Sequence, residues 1–351
     1  RVEVLAGNDI QITQDARITA KGQGDNSNGG TVIVLAENDT TLADNAQLDA
    51  SAGSSGDGGF VELSARQTVH IDGGKLSAGA QDGKAGQILI DPTEVLWTGS
   101  GEDQFSDGAT ITVEADNRIV LDNVMLSSRK IAEADTRSNH ETKNSTADSG
   151  DITLESKSIE LKNGTKLLAD VENGSLFSGG DVNLITTNKD YAELVYANAI
   201  SKIIIDNATI KASNITASAK AEGLYAWGGD TENLLLGATD VIGNIDILAL
   251  RTILTQLTGI NIGIAIARGD SSVTVKSGSV LQADNKVSLK SETNASAGTY
   301  TVAKPAANAG AFALGIIYGE TKAHSTVDVQ SGATIRSADL ELDARNIADL
   351  N

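Results

Sequence analysis

Short runs of alternating apolar and polar residues recur along the chain, each closed by Gly, Asn, Asp or Ser. Alternation of this kind predicts strands with one buried face. Three phrases align near the start: Gly30-Thr31-Val32-Ile33-Val34-Leu35-Ala36, Gly59-Phe60-Val61-Glu62-Leu63-Ser64 and Gly86-Gln87-Ile88-Leu89-Ile90-Asp91. With Leu5, Leu35, Leu63 and Ile90 as anchors, the steps are 30, 28 and 27 residues. Between anchors come a second apolar pair (Ile10 and Ile12; Val69 and Ile71) and a third (Ile18; Leu48; Leu76). Three short strands per step predict one triangular coil, in which the inward residues of all faces meet and the next coil stacks above. A single flat sheet would leave the apolar face without a covering layer. The fold class expected is therefore all-β, a right-handed parallel β-helix (solenoid) of roughly a dozen coils, about 60 Å long at the stacking distance.

The far end repeats more clearly. Ser272-Val273-Thr274-Val275-Lys276-Ser277-Gly278-Ser279-Val280 is answered by Thr326-Val327-Asp328-Val329-Gln330-Ser331-Gly332-Ala333-Thr334-Ile335. The offset of 54 residues reads as two coils of the N-terminal length. Ile204-Ile205-Asp206-Asn207-Ala208-Thr209-Ile210-Lys211-Ala212 is a looser third copy. Two stretches break the rhythm. Ser128 to Ser149 is charged and poor in apolar residues, which predicts a polar excursion from one coil. Asp240 to Leu257 places Asp240, Asn244, Arg251 and Thr255 on one narrow helical stripe, with Gly259 following, and predicts one surface helix near 240–257. The expected organisation is regular coils over 1–99, less regular coils over 100–231, and a helix plus 54-residue repeats over 232–351.

Composition narrows the picture further. Aromatics make up 3% of the chain, so the core must come from Val, Ile, Leu and Ala, which suit thin stacked layers. The net charge of −20 excludes nucleic acid as an expected partner, because phosphate binding needs clustered Lys and Arg. It also disfavours an anionic membrane surface, and the longest apolar stretch, Thr252 to Ala267, is too short and polar for a membrane span. Cysteine is absent, which suits a chain that crosses an outer membrane unfolded. The chain begins at Arg1 with no leader and ends in repeat-like sequence, so we expect an internal piece with any signal peptide upstream.

Gly56-Asp57-Gly58-Gly59-Phe60-Val61-Glu62-Leu63-Ser64, then Ile71-Asp72-Gly73-Gly74, then Gly86-Gln87-Ile88-Leu89-Ile90-Asp91-Pro92-Thr93 resembles a passage of filamentous-haemagglutinin-like exoproteins. The paired Val-x-Val-x-Ser-Gly units and the Gly-rich apolar runs Ile262 to Ala267 and Phe312 to Tyr318 look like repeats of giant bacterial adhesins. The resemblance covers about half the chain. It implies a β-helix shaft, two-partner secretion through an outer-membrane transporter, and a place outside a Gram-negative cell. The implied role is adhesion to a host or surface glycan or protein receptor. It carries over no catalytic residues.

No nucleophile elbow, phosphate loop or EF-hand spacing is present, and His70, His140 and His324 stand singly. The chain is therefore not expected to be an enzyme and no cofactor is expected. The enzyme alternative is a polysaccharide lyase or hydrolase using Asp246, Arg251, Arg268 and Asp270, residues that ordinary surface pairing explains as well. The turns Asn38-Asp39, Asp116-Asn117 and Asp206-Asn207 could hold calcium or cap stacked turns. Trp97, Tyr225 and Trp227 sit in Gly-flanked stretches, where they either pack under a loop or contact a glycan.

Overall fold

The computed structural model describes residues 1–80, 83–99, 103–105, 108–129, 149–171, 178–192, 196–225, 260–298 and 314–350. Among these residues every regular element is a β-strand. One series comprises β1 (Val2–Ala6), β4 (Thr31–Ala36), β7 (Phe60–Ala65), β10 (Gln87–Asp91) and β13 (Thr110–Glu114). It continues through β16 (Ile152–Ser156), β19 (Val182–Ala192), β21 (Thr209–Tyr225), β23 (Val280–Ala297) and β26 (Asp339–Leu350). A second series comprises β2 (Ile10–Ile12), β5 (Thr40–Leu42), β8 (Thr68–Asp72), β11 (Glu94–Thr98) and β14 (Arg118–Asp122). Next in it come β17 (Ser158–Lys162), β20 (Tyr196–Ile205), β22 (Ile260–Val275) and β24 (Leu314–Val329). The third begins with β3 (Arg17–Thr19), β6 (Gln47–Asp49) and β9 (Lys75–Ser77). Beside β9 lies β12 (Asp103–Phe105), followed by β15 (Met125–Ser127), β18 (Lys166–Leu168) and, last, β25 (Thr334–Arg336).

Each pairing is parallel. The three series share an interior: one continuous apolar cluster takes Val34 and Leu63 from the first, Ile71 and Ile119 from the second, and Leu48 and Leu76 from the third. In β21 the first and third series become one strand. Thr209–Lys211 pairs with β18, whereas Ile215–Tyr225 pairs with β19.

The corner between the second and third series repeats a backbone device. Asp15, Asn45, Gly73, Asn123, Asn163, Asn207, Gly278 and Gly332 all have positive φ, and each lies between a second-series strand and the third-series strand after it. Asn, Asp and Gly tolerate this left-handed conformation, which turns the chain within a few residues. The Ser-Gly and Asn-Ala turns read from the sequence fall at these corners.

Two readings of the repeat need correction. Leu35 is not the counterpart of Leu63: it pairs with Ser64, and Val34 pairs with Leu63. A slip of one residue moves a side chain to the opposite face, and Leu5 and Leu35 are exposed while Val34 is buried. The far repeat is also a single step. Val275 pairs directly with Val329, and Ser271 meets Ser325 across 54 residues. The first series accordingly holds ten described strands and not a dozen layers. Strands of 10 to 18 residues in β19–β24 absorb the extra chain.

The polar excursion lies outside the described residues except at its ends. There Gly150 N–H donates to the Ser128 carbonyl at 3.0 Å, and the Ser128 hydroxyl donates to the Gly150 carbonyl at 2.6 Å. The helix expected near 240–257 lies wholly outside the described residues.

Layers leave no room for a side chain at the glycines that precede several first-series strands. A β-carbon on Gly59 would overlap the Gly30 carbonyl oxygen in the strand below, whereas one on Gly7 would meet nothing. Gly59→Ala is therefore expected to cost about 1–3 kcal/mol, by the usual penalty of overpacking, and Gly7→Ala under about 0.5 kcal/mol. Urea unfolding of both variants checks this, and equal midpoints would contradict the stacking at Gly59.

Candidate functional surface

Trp97 was a candidate glycan contact, and its position removes it from that role. Alternation in β11 turns Val95 and Trp97 inward, and Trp97 lies in register between Ile71 and Leu121. It is 2% exposed, and its indole Nε1 finds no hydrogen-bond partner among the described residues. The ring fills core volume in a row that is otherwise aliphatic. Tyr225 ends β21 with its backbone opposite Ala192. Trp227 lies outside the described residues.

The structure instead exposes a surface built by the long strands. Their inward positions hold small residues, and there two sheets pack closely. Ala265, Ala267, Ala295, Ala297 and Ala323 form a separate small cluster. A β-carbon on Gly223 would overlap the Arg268 carbonyl oxygen of the opposite sheet. Where this extension leaves the aliphatic core, hydroxyls replace methyl groups. Ser271 Oγ lies 2.7 Å from both Ser291 Oγ and Thr293 Oγ1, and Ser201 Oγ donates to Thr186 O at 3.0 Å. Thr293 Oγ1 also donates to His324 O at 2.7 Å, so the seam satisfies its own polar atoms in a dry place.

On the outer side of β20, β22 and β24 the long strands bring Tyr196, Arg268, Glu320, Tyr318 and Lys322 together. Register sets this: Tyr196 pairs with Ile266 and Ile266 with Glu320, while Arg268 pairs with Lys322. Arg268 donates from Nε and Nη2 to Glu320 Oε1 at 3.0 and 2.7 Å. Its guanidinium lies 5.7 Å from the Tyr196 ring centroid, within cation–π range. Tyr318 donates its hydroxyl to Glu320 Oε2 at 2.9 Å, and Lys322 Nζ stands 3.0 Å from Oε1. These donors, Arg268 first, hold the Glu320 carboxyl down at about 2, and Glu320 in turn raises Arg268 and Tyr318.

Of the four residues considered for glycan cleavage, Asp246 and Arg251 lie outside the described residues. Arg268 and Asp270 are neighbouring outward positions on β22, Arg268 committed to Glu320 and Asp270 3.5 Å from His324 Nδ1. Sequence reading missed Glu320 and both tyrosines. Taking 54 residues as one step would have set Arg268 beside Lys322 and exposed the cluster.

The Asn-Asp turns use their side chains between layers. Thr68 N–H donates to Asp39 Oδ1 at 3.0 Å, Lys157 Nζ donates to Asn117 Oδ1 at 3.3 Å, and Lys276 Nζ donates to Asp206 Oδ2 at 2.8 Å. The same capping joins Asp57 to Lys84 N–H and Asp151 to Asp181 N–H. Among the described residues no group of three or more His, Asp or Glu could hold a metal ion. No helix among them is long and apolar enough to cross a membrane.

No protein-family model, curated protein or solved structure matches this chain.

Glu320 offers a direct check of the cluster. Its folded-state carboxyl lies below the ordinary value of 4.5, so its stabilisation is complete above that pH and fades as pH falls toward about 2. Glu320→Gln should destabilise by about 1 kcal/mol at pH 7, after screening at a partly open site. The gap should narrow between pH 4.5 and 2, read as paired thermal midpoints. A gap constant with pH would show that the carboxylate is not held by Arg268.

Proposed function

We propose that the chain is a length of right-handed parallel β-helix forming part of the shaft and adhesive surface of a large exoprotein of the filamentous-haemagglutinin type. One observation carries the reading. Strands of three series alternate along the chain, each except β9 pairs in parallel with the strand of its own series one step later, and all three inward faces share one core. Parallel pairing between successive strands of a sheet requires a crossover, and such crossovers are right-handed in nearly all proteins. A coil that visits three faces in turn meets both requirements. Nine steps from β1 to β26 at about 4.8 Å each span about 43 Å.

The outward positions fit a surface made for contact and reach. They carry ion pairs between neighbouring layers, such as Arg118 with Glu94, Lys162 with Asp122 and Lys286 with Glu341. Solvated pairs of this kind each add little stability, and they keep a long lateral surface polar. The phrases from Gly56 to Thr93 supply the likeness to secreted exoproteins. In this reading the chain reaches the surface of a Gram-negative bacterium through an outer-membrane transporter. Its partner is a glycan or protein on a host cell or another surface.

Binding of the purified chain to epithelial cells and to a glycan array tests the proposal. Saturable binding that a soluble glycan or a protease-treated cell surface abolishes is the expected result. Absence of binding on every surface, together with release of unsaturated sugars from polyuronates, would overturn it in favour of a lyase.

A further inference from the structure

The long strands begin abruptly in the middle of the chain, and the first of them overhang the layer beneath. β16 ends at Ser156, opposite Thr186, and β17 begins at Ser158, opposite Lys202. Residues 187–192 of β19 and 196–201 of β20 therefore have partners above, in β21 and β22, and none below among the described residues. Lys202 N–H donates to Lys157 O at 3.3 Å and Asp206 N–H to Leu161 O at 2.8 Å, so even positions of β20 turn their backbone groups downward. By alternation Asn198 and Ile200 do the same over the ledge, where no strand receives them. A bare edge of this kind is a template for another strand.

Two side chains from the facing strand occupy it instead. Asp190 Oδ2 accepts the Asn198 N–H at 2.6 Å, and Asn188 Nδ2 donates to Ile200 O at 2.9 Å. Both continue the inward row of β19, after the buried Val182, Leu184 and Thr186. One layer up, the same positions hold Ala221 and Gly223, and a β-carbon on Gly223 would overlap the Arg268 carbonyl oxygen. The seam there admits only small inward residues. Asn188 and Asp190 depart from that pattern in the layer whose lower edge is bare.

We propose that Asn188 and Asp190 form an autoinhibitory clasp, which closes the β20 edge against strand pairing with a second copy of the chain. Pairing across residues 198–200, parallel or antiparallel, needs the Asn198 N–H and the Ile200 carbonyl, and the clasp holds both. The β19 half of the ledge carries Lys189 at its centre, and a lysine there disfavours pairing of two such edges. A solenoid that widens part-way along bares an edge at the step, far from any cap at its ends. The clasp guards that edge from within the same layer. It stands apart from the adhesion proposal, since it depends only on the ledge.

Asn188→Ala together with Asp190→Ala frees the edge without crowding the seam. In sedimentation over a concentration series, the double variant should self-associate at a concentration at least tenfold below that of the parent chain. Adding Asn198→Pro should reverse the gain, because proline removes the freed N–H and is tolerated where that group faces solvent. In the parent chain the Asn198 amide should exchange with deuterium at least tenfold more slowly than that of Ile200, whose N–H faces the same bare side. Should circular dichroism show the double variant misfolded, each single alanine variant takes its place in the same series. A variant that associates no more readily than the parent would overturn the proposal. So would a gain that Asn198→Pro leaves intact, or equal exchange at the two amides.

Discussion

Inward side chains in this protein rest on counterparts in the strand below, and the parallel backbone ladder holds them in line. One row runs through Val4, Val34, Leu63, Ile90, Val113, Leu154, Leu184, Ala217, Leu289 and Leu342. Each buried aliphatic contributes on the order of 1.5–3 kcal/mol relative to exposure. That contribution is realised where layers lie on both sides, as for Leu63, which stacks between Val34 and Ile90 and is fully buried. Exceptions are accommodated locally. Thr40 occupies an aliphatic row and donates its hydroxyl to the Ser64 carbonyl at 3.0 Å, so no polar atom is stranded.

Width of the interior then follows from side-chain size. Where the rows are Val, Ile and Leu, residues of all three series share one apolar cluster. Before Ser201 in β20, and along the strand regions paired with it, the inward rows become Ala, Ser, Thr and Gly, and two sheets close on each other. Chain length goes into longer strands there instead of additional layers. The same change brings Arg268, Glu320, Tyr196 and Tyr318 onto one outer face, since only the long strands reach that far. The polar cluster thus lies on the opposite side of the strands whose inward residues are small.

Much of this architecture was legible in the sequence. Alternation located the short strands, and recurring turn residues marked the corners, because a buried face and a left-handed turn each demand particular residue types. Register was less legible. Phe60-Val61-Glu62-Leu63 and Val32-Ile33-Val34-Leu35 are both apolar enough to align in two ways, and only the neighbouring layers decide that Leu35 faces outward. Layer length was hidden for a similar reason: a 54-residue offset fits two short steps or one long step equally well, until the pairing of Val275 with Val329 is seen. Trp97 misled because flanking glycine suggested an irregular loop, while its own strand alternates without a break.

In-register stacking can be measured directly in a cysteine-free chain. Gln11 and Asp328 are outward positions on the second series, joined by eight successive pairings through Thr41, His70, Leu96, Val120, Glu160, Ile204 and Thr274. Spin labels at these two sites should give one narrow distance near 38 Å, which is eight steps of about 4.8 Å. A broad distribution, or a distance far from that value, would contradict a single continuous parallel stack.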